Sequence, residues 1–306
     1  MTNYIKEFLL HLKLERNLSK NTLSAYENDI IQFYNYLVST FETDNYNIKD
    51  INSTIVKSYL RNLTMNNMQK TSIGRKMAAI RTYFRFLYKQ QYIKNNPALN
   101  LIIPKKEKRL PSFIDEKSID NIMQLPNRES VIGLRDVAIL ELFYSTGIRE
   151  SELLELKLPD FHKSKDTIKV FGKGSKERII PVGRQAIEAL NKYLERRVEL
   201  FSDKTTEEDK HMIFLTNNGK KFYRTGIYNI VNIYLKKAYG GKKCSPHVLR
   251  HTFATHMLDR GADIESVKQM LGHTSLSTTQ IYTHVSIEHL KKIYNQAHPK
   301  ANIEIK

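Results

Sequence analysis

A short basic segment between two prolines most constrains how this chain can fold. Pro104 and Pro111 enclose four cations, Lys105, Lys106, Lys108 and Arg109. Proline at both ends and charge throughout are typical of an extended, solvated connection rather than a packed element. The 306 residues are also enough for two ordinary domains. We therefore predict two domains, residues 1–104 and 113–306, joined by a basic linker at 105–112.

Helical periodicity characterises the first domain. Apolar residues recur at spacings of three and four in successive stretches, which indicates amphipathic helices. The first stretch contains Phe8 and Leu12, the second runs from Leu23 to Leu37, and two more cover about 51–63 and 72–90. The polar turn Asn95-Asn96-Pro97 then ends the unit. We predict a compact helical domain.

The charge distribution indicates what this domain binds. The chain has 49 Lys plus Arg against 32 Asp plus Glu, which favours a polyanionic partner, with nucleic acid ahead of an anionic membrane surface. Residues 51–106 contain 11 basic residues and no acidic one, where the average of 32 acids in 306 residues predicts about six. We therefore predict phosphate contacts from Arg75, Lys76, Arg81, Arg85, Lys105 and Lys106 of this stretch, and we add Lys20 as a further predicted contact.

The sequence argues against membrane insertion and export. No apolar run approaches the roughly 18 residues that a membrane span requires. The N-terminus lacks the basic and then apolar pattern of a signal peptide. The single cysteine, Cys244, cannot form an internal disulfide, which agrees with a reducing cytoplasm. We predict a cytoplasmic protein in which Cys244 is a small apolar filler, in preference to a nucleophile paired with His247.

The second domain combines helices with one hairpin. Helical patterns cover about 115–124, 131–145, 185–200 and 222–238. Between them, residues 167–171 and 178–182 are strand-like and are joined through a glycine-containing turn. The fold class that we predict is mainly α, with a small β-sheet in the second domain.

Several polar residues of this domain occupy positions suited to an anionic oxygen centre. His247 and Arg250 are three residues apart, so on a helix they project from one face. Arg149 follows a Gly turn at the start of a helix, a position suited to an oxyanion. Glu152, three residues later, either orients Arg149 or is a surface acid of the first turn.

Three further candidates come from turns and helix ends. Lys173 lies between two glycines at the predicted hairpin tip, from which it can reach either a DNA minor groove or a scissile phosphate. His273 follows Gly272, a suitable helix C-cap, and Tyr282 comes nine residues after His273. Together with the arginines, these imidazole and phenol groups suit work on an anionic oxygen centre.

Two competing interpretations fit less well. His247 and His251 have a spacing found in zinc sites, but no Glu follows the first histidine and no Cys or carboxylate cluster is near. A nucleotide-binding P-loop at Gly172-Lys173 would need Gly at the position of Thr167, and Ser or Thr directly after Lys173. We predict neither a metal site nor a cofactor.

The ordered set of motifs resembles the tyrosine recombinase family, and within it the Xer-type recombinases. The matching segments are 146–153, 172–178, 246–256, 271–273 and 281–284, together with Leu18-Ser19-Lys20-Asn21-Thr22 in the first domain. The resemblance spans nearly the whole chain. It implies a SAM-like core-binding domain followed by a recombinase catalytic domain, and an enzyme that cuts and rejoins DNA through a 3′-phosphotyrosyl bond without Mg²⁺ or ATP.

The resemblance also assigns roles. Tyr282 is the expected nucleophile, Arg149 and Arg250 the donors to the non-bridging oxygens, and Lys173 the acid for the departing 5′-oxygen. His247 is expected to assist proton transfer and His273 to hydrogen-bond the same phosphate. Resolution of chromosome dimers at a dif-like site is the expected function. The alternatives are a mobile-element integrase, a type IB topoisomerase-like enzyme and a non-catalytic DNA-binding protein.

The implied partners are double-stranded DNA, a homo- or hetero-tetramer with a paralogous recombinase, and a DNA translocase as activator. A final amphipathic helix from about residue 286, with its apolar stripe from Ile287 to Ala297, is expected to dock into a neighbouring subunit. The alternative is that this stripe packs on its own domain.

We expect DNA binding by the full-length chain to depend steeply on salt. Neutralised phosphates release counterions, so affinity should fall roughly 10³-fold between about 50 and 200 mM salt. A fluorescence anisotropy titration of a labelled duplex at several salt concentrations measures this. An affinity that stays flat over that range would contradict the predicted role of the basic helical surface.

Overall fold

The computed structural model describes residues 2–16, 18, 20–101, 113–172, 177–239, 244–272 and 287–301. The chain divides into two compact units, Met1–Arg109 and Leu110–Lys306. The predicted linker at 105–112 lies outside the described residues. No helix in the ranges given above is both long enough and apolar enough to span a bilayer.

The first unit is helical, as the periodicity predicts. Its helices are α1 (Thr2–Leu14), α2 (Lys20–Phe41), α3 (Ser53–Met65) and α4 (Lys70–Lys89). Helix α3 begins after Asn52, whose side chain accepts hydrogen bonds from the N–H groups of Thr54 and Ile55. The core combines aliphatic and aromatic side chains: the Phe8 ring meets Tyr83 edge-on at 5.2 Å between centroids, and Phe33 meets Phe84 in the same way.

The second unit surrounds a small sheet with helices. The helices are α5 (Glu116–Gln124), α6 (Val131–Thr146), α7 (Glu150–Leu154), α8 (Arg184–Arg196), α9 (Glu207–His211), α10 (Arg224–Tyr239), α11 (Pro246–Asp259), α12 (Ile264–Leu271) and α13 (Ile287–Ala297). Strands β1 (Phe161–His162), β2 (Thr167–Phe171) and β3 (Glu177–Pro181) form an antiparallel sheet in the order β1-β2-β3. Thr167 pairs with Pro181 and Phe171 with Glu177, which confirms the predicted hairpin.

Helix α6 is the central element of the second unit. Nearly all of its residues, from Gly133 to Thr146, are buried, so it packs on every side. It contacts α8 and α11, and Gly147 forms its C-cap. The helix predicted at 131–145 is therefore confirmed, and the structure shows that it is a core element. Its buried C-terminus brings main-chain carbonyls into the interior, where they must find donors.

Helix α13 packs against its own unit. Leu290, Tyr294 and Ala297 are buried against α11, α12 and β3. The Tyr294 hydroxyl lies 2.7 Å from the Ser145 hydroxyl oxygen, which also accepts from the Gly183 N–H. In the described chain, the apolar stripe of α13 therefore packs on its own domain, which is the second of the two arrangements considered from the sequence. In this single chain the core of its own unit covers the stripe, and docking of α13 into a neighbouring subunit stays a prediction.

The segment after α13 adds a buried polar network. Lys300 Nζ forms an ion pair with Glu141 at 3.0 Å inside the unit. The Lys300 N–H donates to Nδ1 of His298, so the other ring nitrogen carries the hydrogen and donates to the Tyr144 carbonyl oxygen. Burial lowers the pKa of His298 to about 3, and it is therefore neutral.

We expect His298 to make the protein less stable in acid. Its pKa falls from an ordinary 6.5 to about 3 on folding. Between these values the unfolded chain takes up a proton that the native protein does not. Stability is therefore retained above pH 6.5 and lost as the pH falls, by about 1 kcal/mol between pH 7 and pH 5.5.

Urea unfolding of the wild type and of His298→Gln at both pH values measures this effect. The variant should be less stable at pH 7 but lose less stability on acidification. Nearby His256 also has a lowered pKa, caused by burial, but it is present in both proteins and cancels in the comparison. An equal loss in both proteins would rule out His298 as the source.

Candidate active site

Arg149 is anchored at the start of α7. Its backbone N–H donates to Glu152 Oε2 at 2.8 Å, and its Nη1 donates to Oε1 of the same carboxylate at 2.8 Å. Its Nη2 donates to the Gly272 carbonyl oxygen at 2.7 Å, at the end of α12. About a third of the side chain, 33%, remains exposed. The guanidinium is thus held in place and still open to solvent on one side.

Arg250 projects from α11 and is more deeply buried. Its Nη1 donates to the Gly147 carbonyl oxygen and its Nη2 to the Leu271 carbonyl oxygen at 2.7 Å. Burial, followed by the positive charge of Arg149, lowers the pKa of Arg250 to about 10. The side chain is therefore still a cation at neutral pH.

The two arginines meet where two helices end. Gly147 is the C-cap of α6, and Leu271 and Gly272 end α12. The last carbonyls of a helix lack intrahelical donors and carry the negative end of the helix dipole. These carbonyls hold two guanidinium groups close enough for the charge of Arg149 to lower the pKa of Arg250. The result is a preformed cationic site for an anion with several oxygens.

Glu152 is an internal acid rather than a surface one. Only 2% of its side chain is exposed, and it contacts both Arg149 and Arg178. Burial alone would raise the pKa of Glu152, but hydrogen bonds from Arg178 and then Arg149 hold it below its ordinary value. Of the two interpretations of the sequence, the orienting role fits this geometry.

Arg178 is the residue that the sequence analysis missed. It lies on β3, and its two terminal nitrogens donate to the two oxygens of Glu152 at 2.7 and 2.8 Å. Its Nε donates to the Met270 carbonyl oxygen at 2.9 Å. One signal was available in the sequence. Side chains alternate along a strand, so residue 178 shares the inward face with the apolar Ile180.

His247 lies on the first turn of α11, three residues before Arg250, with its side chain exposed. His251, which the zinc interpretation paired with it, is half-buried. Within the described ranges, no three His, Cys, Asp or Glu side chains cluster as metal ligands would. The other three predicted site residues, Lys173, His273 and Tyr282, lie outside the described residues.

The predicted DNA contacts of the first unit have different environments. Lys76 is only 3% exposed and its Nζ lies 2.9 Å from Asp29, which also pairs with Arg75. The prediction of a phosphate contact by Lys76 is therefore corrected, because its side chain is buried in the helical core and bound to Asp29. The count of acids in 51–106 could not reveal this pair, since Asp29 lies in α2.

The remaining predicted contacts differ in availability. Arg81 is half-buried and donates to the Leu101 carbonyl oxygen, whereas the side chains of Arg75 and Arg85 reach the surface. The side chain of Lys20 and both linker residues, Lys105 and Lys106, lie outside the described residues. Arg85 is thus the predicted contact whose described environment best suits a phosphate.

Sequence comparison finds two family matches. The profile of the phage integrase family matches residues 112–289, and the profile of the phage integrase N-terminal SAM-like domain matches residues 5–91. Tyrosine recombinase XerC of Pelobacter propionicus is 41% identical over 97% of this chain and 95% of its own. Tyrosine recombinase XerC of Pelotomaculum thermopropionicum is 38% identical over 97% of this chain and 98% of its own.

Solved structures with the same fold include two DNA complexes. XerH site-specific recombinase bound to its difH substrate superposes with a TM-score of 0.66 at 22% identity, covering 94% of this chain and 83% of that one. The Tn1549 transposon integrase with a circular intermediate DNA gives a TM-score of 0.70 at 16% identity, covering 93% and 96%. At these identities the likeness concerns the fold alone.

We expect a side chain at position 272 to disturb the site. Gly272 has φ +64°, and a Cβ there would lie 2.9–3.1 Å from three atoms of the Arg178 guanidinium group. Gly261 is a matched control, because it has φ +87° and none of the described residues comes within 4 Å of an added Cβ. Gly261→Ala should cost about 1 kcal/mol through backbone strain alone.

Gly272→Ala should cost more, about 2–4 kcal/mol, because it adds overpacking against Arg178. Urea unfolding of the two variants beside the wild type measures the difference. Equal losses would show that the Arg178 guanidinium moves aside without cost, although its hydrogen bonds to Glu152 and Met270 indicate a fixed position.

Proposed function

Because this chain belongs to the phage integrase family and is a Xer-type tyrosine recombinase, we propose that it resolves chromosome dimers by strand exchange at a dif-like site. Site-specific recombination through a tyrosine is the activity of this class. The relatives named XerC cover nearly the whole chain at about 40% identity, as in the example from Thermodesulfovibrio yellowstonii. The finer assignment of the chromosomal site rests on that similarity.

The observation that carries the proposed chemistry is the arginine pair at the ends of α6 and α12. A phosphodiester under attack accumulates negative charge on its non-bridging oxygens. Arg149 and Arg250 are fixed by main-chain carbonyls before any substrate arrives, so little reorganisation is needed as that charge develops. Their two forks can each offer paired donors to an oxygen of the phosphate.

The other roles complete the reaction. Tyr282 attacks the scissile phosphorus, forming a 3′-phosphotyrosyl bond while the bond to the 5′-oxygen breaks. Lys173 delivers the proton that this oxygen needs, and the exposed His247 assists proton transfer at the phosphate. His273 donates a hydrogen bond to the same centre. Attack by a 5′-hydroxyl of another strand on the phosphotyrosine reverses the step and returns the phenol.

The stoichiometry of exchange supports a tetramer. Joining two duplexes requires four strand cleavages, and each chain supplies one nucleophilic tyrosine. We place four chains on two DNA sites, either identical or mixed with a paralogous recombinase, and a DNA translocase as activator. The packing of α13 on its own unit means that its described stripe is not an open surface for such an assembly. A chromosomal substrate places the protein in the cytoplasm.

Replacing Tyr282 by Phe separates an enzyme from a DNA-binding protein. The variant should bind a dif-like duplex with affinity within about twofold of the wild type, because one hydroxyl contributes little to a phosphate-dominated interface. Covalent adducts should disappear, because no nucleophile remains. Denaturing gel electrophoresis after incubation with a nicked suicide duplex measures the adducts.

The controls address the alternative functions. A duplex of scrambled sequence should yield no adduct, and a supercoiled plasmid without the site should not be relaxed. Relaxation of that plasmid by the wild type would favour a topoisomerase-like enzyme. Persistent adducts in Tyr282→Phe would assign the nucleophile to another residue.

A further inference from the structure

Arg178 connects three parts of the site. It belongs to β3, binds both oxygens of Glu152 at the start of α7, and donates from Nε to the Met270 carbonyl oxygen near the end of α12. Only 14% of its side chain is exposed. The guanidinium group also lies against Gly272, where an added Cβ would be 3.0 Å from its central carbon. The Arg178 side chain thus connects the hairpin to Glu152 and to the end of α12, the two groups that hold Arg149.

The charge balance explains why a third arginine matters here. Glu152 is a single carboxylate whose two oxygens each accept from both Arg178 and Arg149. Two guanidinium charges against one carboxylate leave this cluster positive. Without Arg178, Glu152 would neutralise Arg149 outright, and only Arg250 would remain to oppose the developing charge on a phosphate.

We propose that Arg178 is a positioning residue for strand cleavage: it holds Glu152 in the geometry that fixes Arg149 and keeps the cationic charge of Arg149 available to the scissile phosphate. This inference rests on the proposed function. Arg178 need not touch the DNA. It acts through the carboxylate that it binds. Because Glu152 also binds Arg149, the position of β3 and the position of Arg149 are linked.

The geometry requires an arginine. A guanidinium group presents parallel donors to the two carboxylate oxygens and a separate Nε–H to the Met270 carbonyl. An ammonium group keeps the charge but cannot make these three contacts in fixed directions. Lysine at this position should therefore restore part of the function, and glutamine, which is neutral, should restore none.

The test measures single-turnover cleavage of a nicked suicide duplex carrying a dif-like site. Arg178→Gln should slow cleavage by about 10²-fold, the cost typical of a misplaced catalytic group, and Arg178→Lys should fall between it and the wild type. Arg184→Gln is the matched control, because Arg184 is exposed on α8 and pairs there with Glu188. It should cleave at the wild-type rate.

A second substrate distinguishes positioning from general loss of structure. In a methylphosphonate duplex, an uncharged methyl group replaces one non-bridging oxygen of the scissile phosphate. If Arg178 acts by keeping positive charge available, its loss should matter less there, and the 10²-fold defect should shrink to about tenfold or below. Equal defects on both substrates, or wild-type cleavage by Arg178→Gln, would overturn the proposal.

An unfolding measurement keeps this inference separate from the proposed function. If the wild type forms no adduct on any duplex, the proposed function fails, but the contact between Arg178 and Glu152 can still be tested. Urea unfolding of Arg178→Gln, Glu152→Gln and the double variant forms a double-mutant cycle. Coupled residues should give a double variant that loses less stability than the sum of the single losses. Strictly additive losses would contradict a stabilising contact between Arg178 and Glu152.

Discussion

The site depends on main-chain carbonyls that helices leave without partners. Helices α6 and α12 end inside the second unit, where unsatisfied carbonyl oxygens would be costly. Arg149 and Arg250 satisfy them at Gly147, Leu271 and Gly272, and the carbonyl dipoles in turn make it acceptable to hold two cations side by side. The same contacts therefore satisfy the ends of two helices and position both arginines for a phosphate, so the site is preorganised as the domain folds.

Much of this architecture could be predicted from the sequence because the determining interactions are local. Spacings of three and four residues predicted the amphipathic helices, a nearly continuous apolar run predicted the buried α6, and a glycine-containing turn between strand-like segments predicted the hairpin. His247 and Arg250 were linked by the geometry of a single helix. Arg149 could be recognised by its position after a Gly turn, because a helix start is a local feature.

The parts that escaped prediction depend on contacts between distant residues. Arg178 meets Glu152 across 26 positions, and Lys76 meets Asp29 across 47, so a window of sequence showed the charges without their partners. For the same reason, the phosphate contacts predicted for the basic stretch 51–106 include Lys76, although its side chain is buried. The apolar stripe of α13 posed a related problem, because periodicity shows that a face will be covered and not which subunit covers it.

The packing of the C-terminal segment affects how subunit assembly can be studied. Removing the chain from α13 onward would take away Tyr294 and the cation that neutralises the buried carboxylate of Glu141. A buried charge left alone in this way typically costs about 3–5 kcal/mol. A truncated protein that failed to assemble on DNA would then be indistinguishable from one that failed to fold. Single exposed positions on α13 offer a cleaner way to ask whether one protomer touches the next.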